Sequence, residues 1–151
     1  MPTAPEIRGG EAVSRSGYTD DCDGSELAMW RGVIASASRG KRGQKFFRDL
    51  LSALDAMPKQ ELIAGDLETT DGEVCALGAL GRRKGVDVES MDTYDWSGLS
   101  ETFDIAPQLA QETMYENDDG GPISWPTKTE SPAERWKRMR AWAVKNIRHA
   151  V

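Results

Sequence analysis

Side chains able to do covalent chemistry are sparse in this sequence. The only histidine, His149, stands at the end of the chain, which argues against a nucleophile-and-base arrangement of the triad kind. The two cysteines, Cys22 and Cys75, are far apart. Cys75 lies in an apolar run that suits a buried free thiol, and no Cys/His cluster has the spacing of a zinc site. Tyr18-Thr-Asp-Asp-Cys-Asp-Gly24 puts Asp21, Asp23 and Gly24 where a calcium loop needs them. Thr19 and Trp30 then occupy the positions of its first and last ligands, so a helix cap with solvated acids is the better reading. Asn117, Asp119 and Gly120 imitate the same loop until Pro126 breaks it. Gly40-Lys41 lacks the spacing and the Ser or Thr of a phosphate loop, and Gly78-Ala-Leu-Gly81 is no dinucleotide fingerprint. No pair of carboxylates stands out for acid and base work. The expectation is a protein that binds, with no catalytic residue, no metal ligand and no cofactor motif.

Charge is more informative than reactivity. The net charge is −6, which argues against a general nucleic-acid binder, yet the layout is uneven. Arg31, Arg39, Lys41, Arg42, Lys45 and Arg48 concentrate in one region opposed nearby only by Asp49. From Val86 to Glu134 the balance reverses, and Lys128 is the only base among a dozen acids. Two candidate surfaces follow. One is acidic, carried by Asp92, Asp95, Glu116, Asp118 and Asp119; the other is basic, carried by Arg39, Lys41, Arg42, Lys45 and Arg48.

The elements that must position these charges are mainly helical. Leu27, Trp30, Ile34 and Ala37 share a helical face behind Asp23-Gly-Ser-Glu26, predicting a helix over about 24–38. After the basic break Arg39-Gly-Lys-Arg-Gly43, the residues Phe46, Phe47, Leu50, Leu51, Leu54 and Met57 mark a second helix that ends at Pro58. The segment from Glu61 to Glu68 is ambiguous, leaving room for a short β-hairpin or extended pair near 62–72. Small and apolar residues from Gly72 to Gly81 predict a central helix over about 73–84, closed by Gly85, with Arg82, Arg83 and Lys84 placed where cations suit the helix dipole. Two short helices follow near 96–103 and 106–117, the second with Pro107 in its first turn. Ser131-Pro-Ala-Glu134 is a capping box opening a last helix that buries Trp136, Met139, Ala143 and Ile147. Leu99 to Ala110 has the cadence of a helix-turn-helix, but its would-be reading helix carries no Lys or Arg, so plain helix packing is expected there. The fold class expected is one compact helical bundle of five to six helices over 23–151. A flexible arm over 1–22, rich in Pro and Gly, precedes it.

Cys75-Ala-Leu-Gly-Ala-Leu80, the later Asn117-Asp118 pair and the closing amphipathic helix resemble a pattern of small phage, prophage and actinobacterial proteins. Trp30-Arg-Gly with the Gly-Lys-Arg-Gly break resembles a narrower phage and prophage group. The resemblance implies a mobile-element origin and assigns no functional residue.

The leading functional expectation is a phage accessory protein that binds a host protein or protein–nucleic acid complex, as an anti-defence inhibitor would, through the acidic surface. Its acids would occupy a surface shaped for phosphate. The alternatives are nucleic-acid or nucleotide binding through the basic corner, and self-association in which the two surfaces of neighbouring copies meet. No apolar run approaches the roughly 18 residues of a membrane span, and Met1 to Gly10 lacks a signal-peptide core, so the expected location is cytoplasmic.

Overall fold

The computed structural model of the chain describes residues 24–119 and 130–148. The arm expected over 1–22, Cys22, most of the calcium-like loop, Pro126, Lys128 and His149 lie outside the described residues.

Six helices are described: α1 (Gly24–Arg39), α2 (Lys41–Asp55), α3 (Ala76–Arg83), α4 (Trp96–Phe103), α5 (Pro107–Asp119) and α6 (Pro132–Asn146). Periodicity explains α2, whose Phe46, Phe47, Leu50, Ala53 and Leu54 are buried along one face. Phe47 meets Trp142 of α6 edge to face at 5.1 Å, and the indole N–H of Trp136 donates to the Leu54 carbonyl at 3.1 Å. Capping explains α6. Ser131 and Glu134 exchange hydrogen bonds of 3.1 Å, and Pro132 opens the first turn.

The short helix α3 is almost wholly interior, with Ala76 to Gly81 buried. It begins three residues later than the composition suggests. Glu73 and Val74 are held in extended pairing instead, since Ile63 N–H donates to the Val74 carbonyl at 2.9 Å and Thr69 N–H to the Glu73 carbonyl at 2.9 Å. The extended pair expected near 62–72 therefore exists as one antiparallel bridge, Glu68 to Val74, and no strand is present among the described residues. Helix α3 ends in a Schellman arrangement: Gly85, at φ 75°, donates to the Arg82 carbonyl at 3.1 Å, and Val86 N–H donates to the Gly81 carbonyl at 2.9 Å.

Gly78 is where α3 lies against the chain before it. A Cβ there would collide with the Leu67 carbonyl, which is itself committed to Cys75 N–H at 3.1 Å. Backbone cannot move aside as a flexible side chain would, so we expect Gly78→Ala to destabilise the fold by about 2–3 kcal/mol. Gly32, whose added Cβ meets nothing within 4 Å, supplies the control. Gly32→Ala should stabilise by up to about 1 kcal/mol through helix propensity. Urea unfolding followed by circular dichroism reads both, and equal midpoints for the two variants would refute the close-approach argument.

Candidate basic interface

The five bases singled out from the sequence come together where α1 turns into α2. Arg39 ends α1, Lys41 and Arg42 open α2, and Lys45 and Arg48 follow within two turns; all five are exposed. The corner is held from beneath by Gln44, a buried residue that the sequence reading passed over. Its side-chain amide donates to the Ser38 carbonyl at 2.7 Å and the Asn146 carbonyl at 2.8 Å, and accepts from Arg148 N–H at 2.7 Å. The ends of α1 and α6 are thereby fastened to the first turn of α2, which leaves the neighbouring cations on an ordered support.

Few of these cations are neutralised. Arg42 reaches Asp104 at 3.4 Å between two exposed side chains, and Lys45 meets Asp49 at 2.6 Å. Arg39, Lys41 and Arg48 have no carboxylate partner among the described residues. Exposed pairs of this kind contribute only about 0–1 kcal/mol, so a polyanion could displace them.

Packing of α2 on α3 enlarges the basic face. Lys84 lies 3.3 Å from the same Asp49 oxygen that Lys45 contacts, and Arg83 stands exposed beside it. Lys45, Asp49, Ser52, Leu80, Arg83 and Lys84 line a cleft of about 430 Å³. Burial opposes ionisation of Asp49, but hydrogen bonds from Lys45 and Lys84 outweigh it and hold the carboxyl below its ordinary value. Arg83 and Lys84 were legible only as cations favourable to a helix end. Their meeting with Lys45 depends on how two helices dock, for which no local pattern exists.

The acidic candidates are drawn into structural tasks. Asp95 caps α4 by accepting from Gly98 N–H at 3.0 Å, and Asp92 accepts from Tyr94 N–H at 2.8 Å. Asp118 accepts from Asn117 Nδ2 at 2.9 Å and Gly65 N–H at 3.3 Å. Glu116 is half-buried, 3.9 Å from Arg138, and Asp119 is exposed at the end of α5. Between Val86 and Glu101 the acids Asp87, Glu89, Asp92, Asp95 and Glu101 are exposed and without a basic partner among the described residues.

A second concavity of about 500 Å³ lies between the end of α2, α3, the 61–74 segment and the start of α6. Ala53, Ala56, Met57, Ile63, Val74 and Pro132 contribute its apolar lining, and Lys59, Glu61, Asp71, Glu73, Arg82 and Arg83 its charged part. Among the described residues no group of His, Cys, Asp or Glu is arranged to hold a metal ion, and no helix is long and apolar enough to cross a membrane.

Glu116 gives a pH signature. Burial raises its carboxyl above the ordinary value, against the opposing pull of Arg138 and Lys145. A raised folded-state value means the folded chain binds the proton more tightly, so this group subtracts stability as pH rises through the ordinary carboxylate range. Glu116→Gln should therefore be more stable relative to the parent at pH 7 than at pH 4. Denaturant midpoints at the two pH values measure this, and a pH-independent difference would contradict it. Comparison of the chain with protein-family models, with curated proteins and with solved structures gives no match in any of the three, and the basic face stands on its own geometry.

Proposed function

We propose that the chain is a binding protein whose working surface is the basic face of α2 and its neighbours, and that the partner is a nucleic acid strand held by its phosphates. The observation that carries this reading is that Arg39, Lys41 and Arg48 are exposed on an ordered corner with no carboxylate partner among the described residues. Arg83 and Lys84 extend the same face across α3. The net charge of −6 does not decide against it. At physiological salt the screening length is about 8 Å, so a strand on this face responds to nearby cations far more than to carboxylates elsewhere.

Binding of this sort is salt-dependent and tolerant of sequence. With about four phosphates neutralised, affinity for a single strand falls with a log–log slope of about −3, or roughly sixty-fold between 50 and 200 mM salt. The double change Lys41→Ala, Arg42→Ala removes two cations and should lower that slope by about 1.4. Fluorescence anisotropy of a labelled single-stranded oligonucleotide tests both, and absence of binding at the lowest salt removes the reading.

A second reading is favoured by the open carboxylates Asp87, Glu89, Asp92, Asp95 and Glu101. In it the chain is a phage or prophage accessory protein, in keeping with its sequence resemblance, and occupies the basic surface of a host protein that handles nucleic acid. Charge reversal at Glu89 and Glu101, which the fold does not use, should then abolish capture of that protein from host lysate, while the Lys41→Ala, Arg42→Ala change leaves capture intact. Capture indifferent to the acidic changes and to salt would count against this second reading.

A further inference from the structure

We propose that the cation-lined cleft and the neighbouring groove form one bipartite site for a nucleoside phosphate unit. The phosphate sits among Lys45, Ser52, Arg83 and Lys84, and the nucleoside lies in the groove on the other side of Arg83. This deepens the nucleic-acid reading and rests on it in one respect only, that the unit belongs to a strand and is not a free nucleotide.

The two concavities follow one another along the same pair of helices. On α2 the lining passes from Lys45, Asp49 and Ser52 in the cleft to Ala53 and Ala56 in the groove. On α3 it passes from Lys84 and Leu80 to Arg82 and Ala79, and Arg83 borders both. A ligand laid along this seam meets charge at one end and apolar surface at the other.

The chemistry of each half matches one part of a nucleotide. In the cleft Lys45, Arg83 and Lys84 face a single carboxylate, Asp49, so positive charge is in excess. Asp49 gathers the two lysines, at 2.6 and 3.3 Å from one of its oxygens, so both ammonium groups converge on one place before any ligand arrives. Arg83 has no carboxylate partner among the described residues, and a guanidinium can grip two phosphate oxygens at once. Arg82, by contrast, is already employed: it donates to the Gly72 carbonyl at 2.6 Å and pairs with Glu68 at 3.2 Å, bracing the turn that walls the groove. The groove supplies an apolar surface from Ala56, Met57, Ile63 and Pro132 for the flat face of a base, with Asp71 and Glu73 as acceptors for sugar hydroxyls or ring amino groups. Its volume, about 500 Å³, is ordinary for a small-molecule site.

Titration of the full chain with inorganic phosphate, adenosine monophosphate and a short single-stranded oligonucleotide tests the site, using two exposed positions whose change should leave the fold intact, as circular dichroism would confirm. Arg83→Ala should weaken phosphate and adenosine monophosphate alike, by about five-fold for one exposed charged contact. Ala56→Trp, which fills the groove without altering charge, should weaken adenosine monophosphate by a similar factor and leave phosphate within about two-fold. No binding of adenosine monophosphate at low-millimolar concentration and low salt overturns the site. So does binding that neither variant changes. If the oligonucleotide is weakened by Lys41→Ala, Arg42→Ala, and neither it nor adenosine monophosphate is changed by Arg83→Ala and Ala56→Trp, the bipartite site is refuted while the basic face stands. If adenosine monophosphate follows the expected pattern and the oligonucleotide does not bind, the site stands for free nucleotides and the strand reading falls.

Discussion

The amide of Asn117 is the interaction on which the arrangement of this protein turns. Its oxygen accepts the N–H of Ala76, the first residue of α3, at 3.0 Å, and its nitrogen donates to the Ile63 carbonyl at 2.9 Å. Its own backbone carbonyl accepts from Arg135 at 2.9 Å and from Arg138 at 3.2 Å. A helix begins with N–H groups that have no partner within it, and for a buried helix each must be met by something other than water. Asn117 meets one of them from α5, and Cys75 Sγ, at 3.4 Å from Gly78 N–H, is a weaker second partner. Helix α3, the irregular 61–75 segment, α5 and α6 are all anchored at this one residue, the first two by its side chain and α6 by its backbone carbonyl.

That anchoring gives physical sense to the two short sequence motifs that stand apart in the chain. The Cys75 to Leu80 run supplies a helix small enough to be buried, with Gly78 lying against the Leu67 backbone. The Asn117-Asp118 pair supplies the polar groups that such a helix and its preceding segment require, Asp118 reaching Gly65 N–H while Asn117 reaches Ala76. The two motifs are halves of one device. This device is structural, so the two motifs account for packing and assign no activity.

The proposed functions rest on surfaces that the device leaves free. Arginines of α6 are partly spent within the molecule: Arg138 holds the buried Glu130 at 2.7 and 3.0 Å and also donates to the Glu116 carbonyl, and at the surface Arg140 grips Asp55 at 2.6 and 3.1 Å. Among the cations of α2 and the end of α3, Lys41, Arg48 and Arg83 have no such carboxylate partner among the described residues. The same distinction divides the acids, with Glu116 and Asp118 drawn inward and Asp87 to Glu101 left facing solvent. The basic face is ordered beneath by Gln44, and above it Arg39, Lys41 and Arg48 have no carboxylate partner among the described residues.

The sequence by itself determined where the helices lie. The stripe from Phe46 to Leu54, the Ser131-to-Glu134 box, Pro107 at the head of α5 and Gly85 at the tail of α3 each depend on residues a few positions apart, and local rules reach that far. It set the charge pattern too, and the exposure of the five bases between Arg39 and Arg48 followed from it. Only the tertiary structure decided that Glu73 and Val74 would pair in extended form, that Arg138 and Asp118 would turn inward, and that Arg83 and Lys84 would join Lys45 around Asp49. The reason is reach. Ala76 and Asn117, or Asp49 and Lys84, are separated by dozens of residues, and whether they meet depends on the rotation and docking of whole helices, which local sequence pattern does not encode.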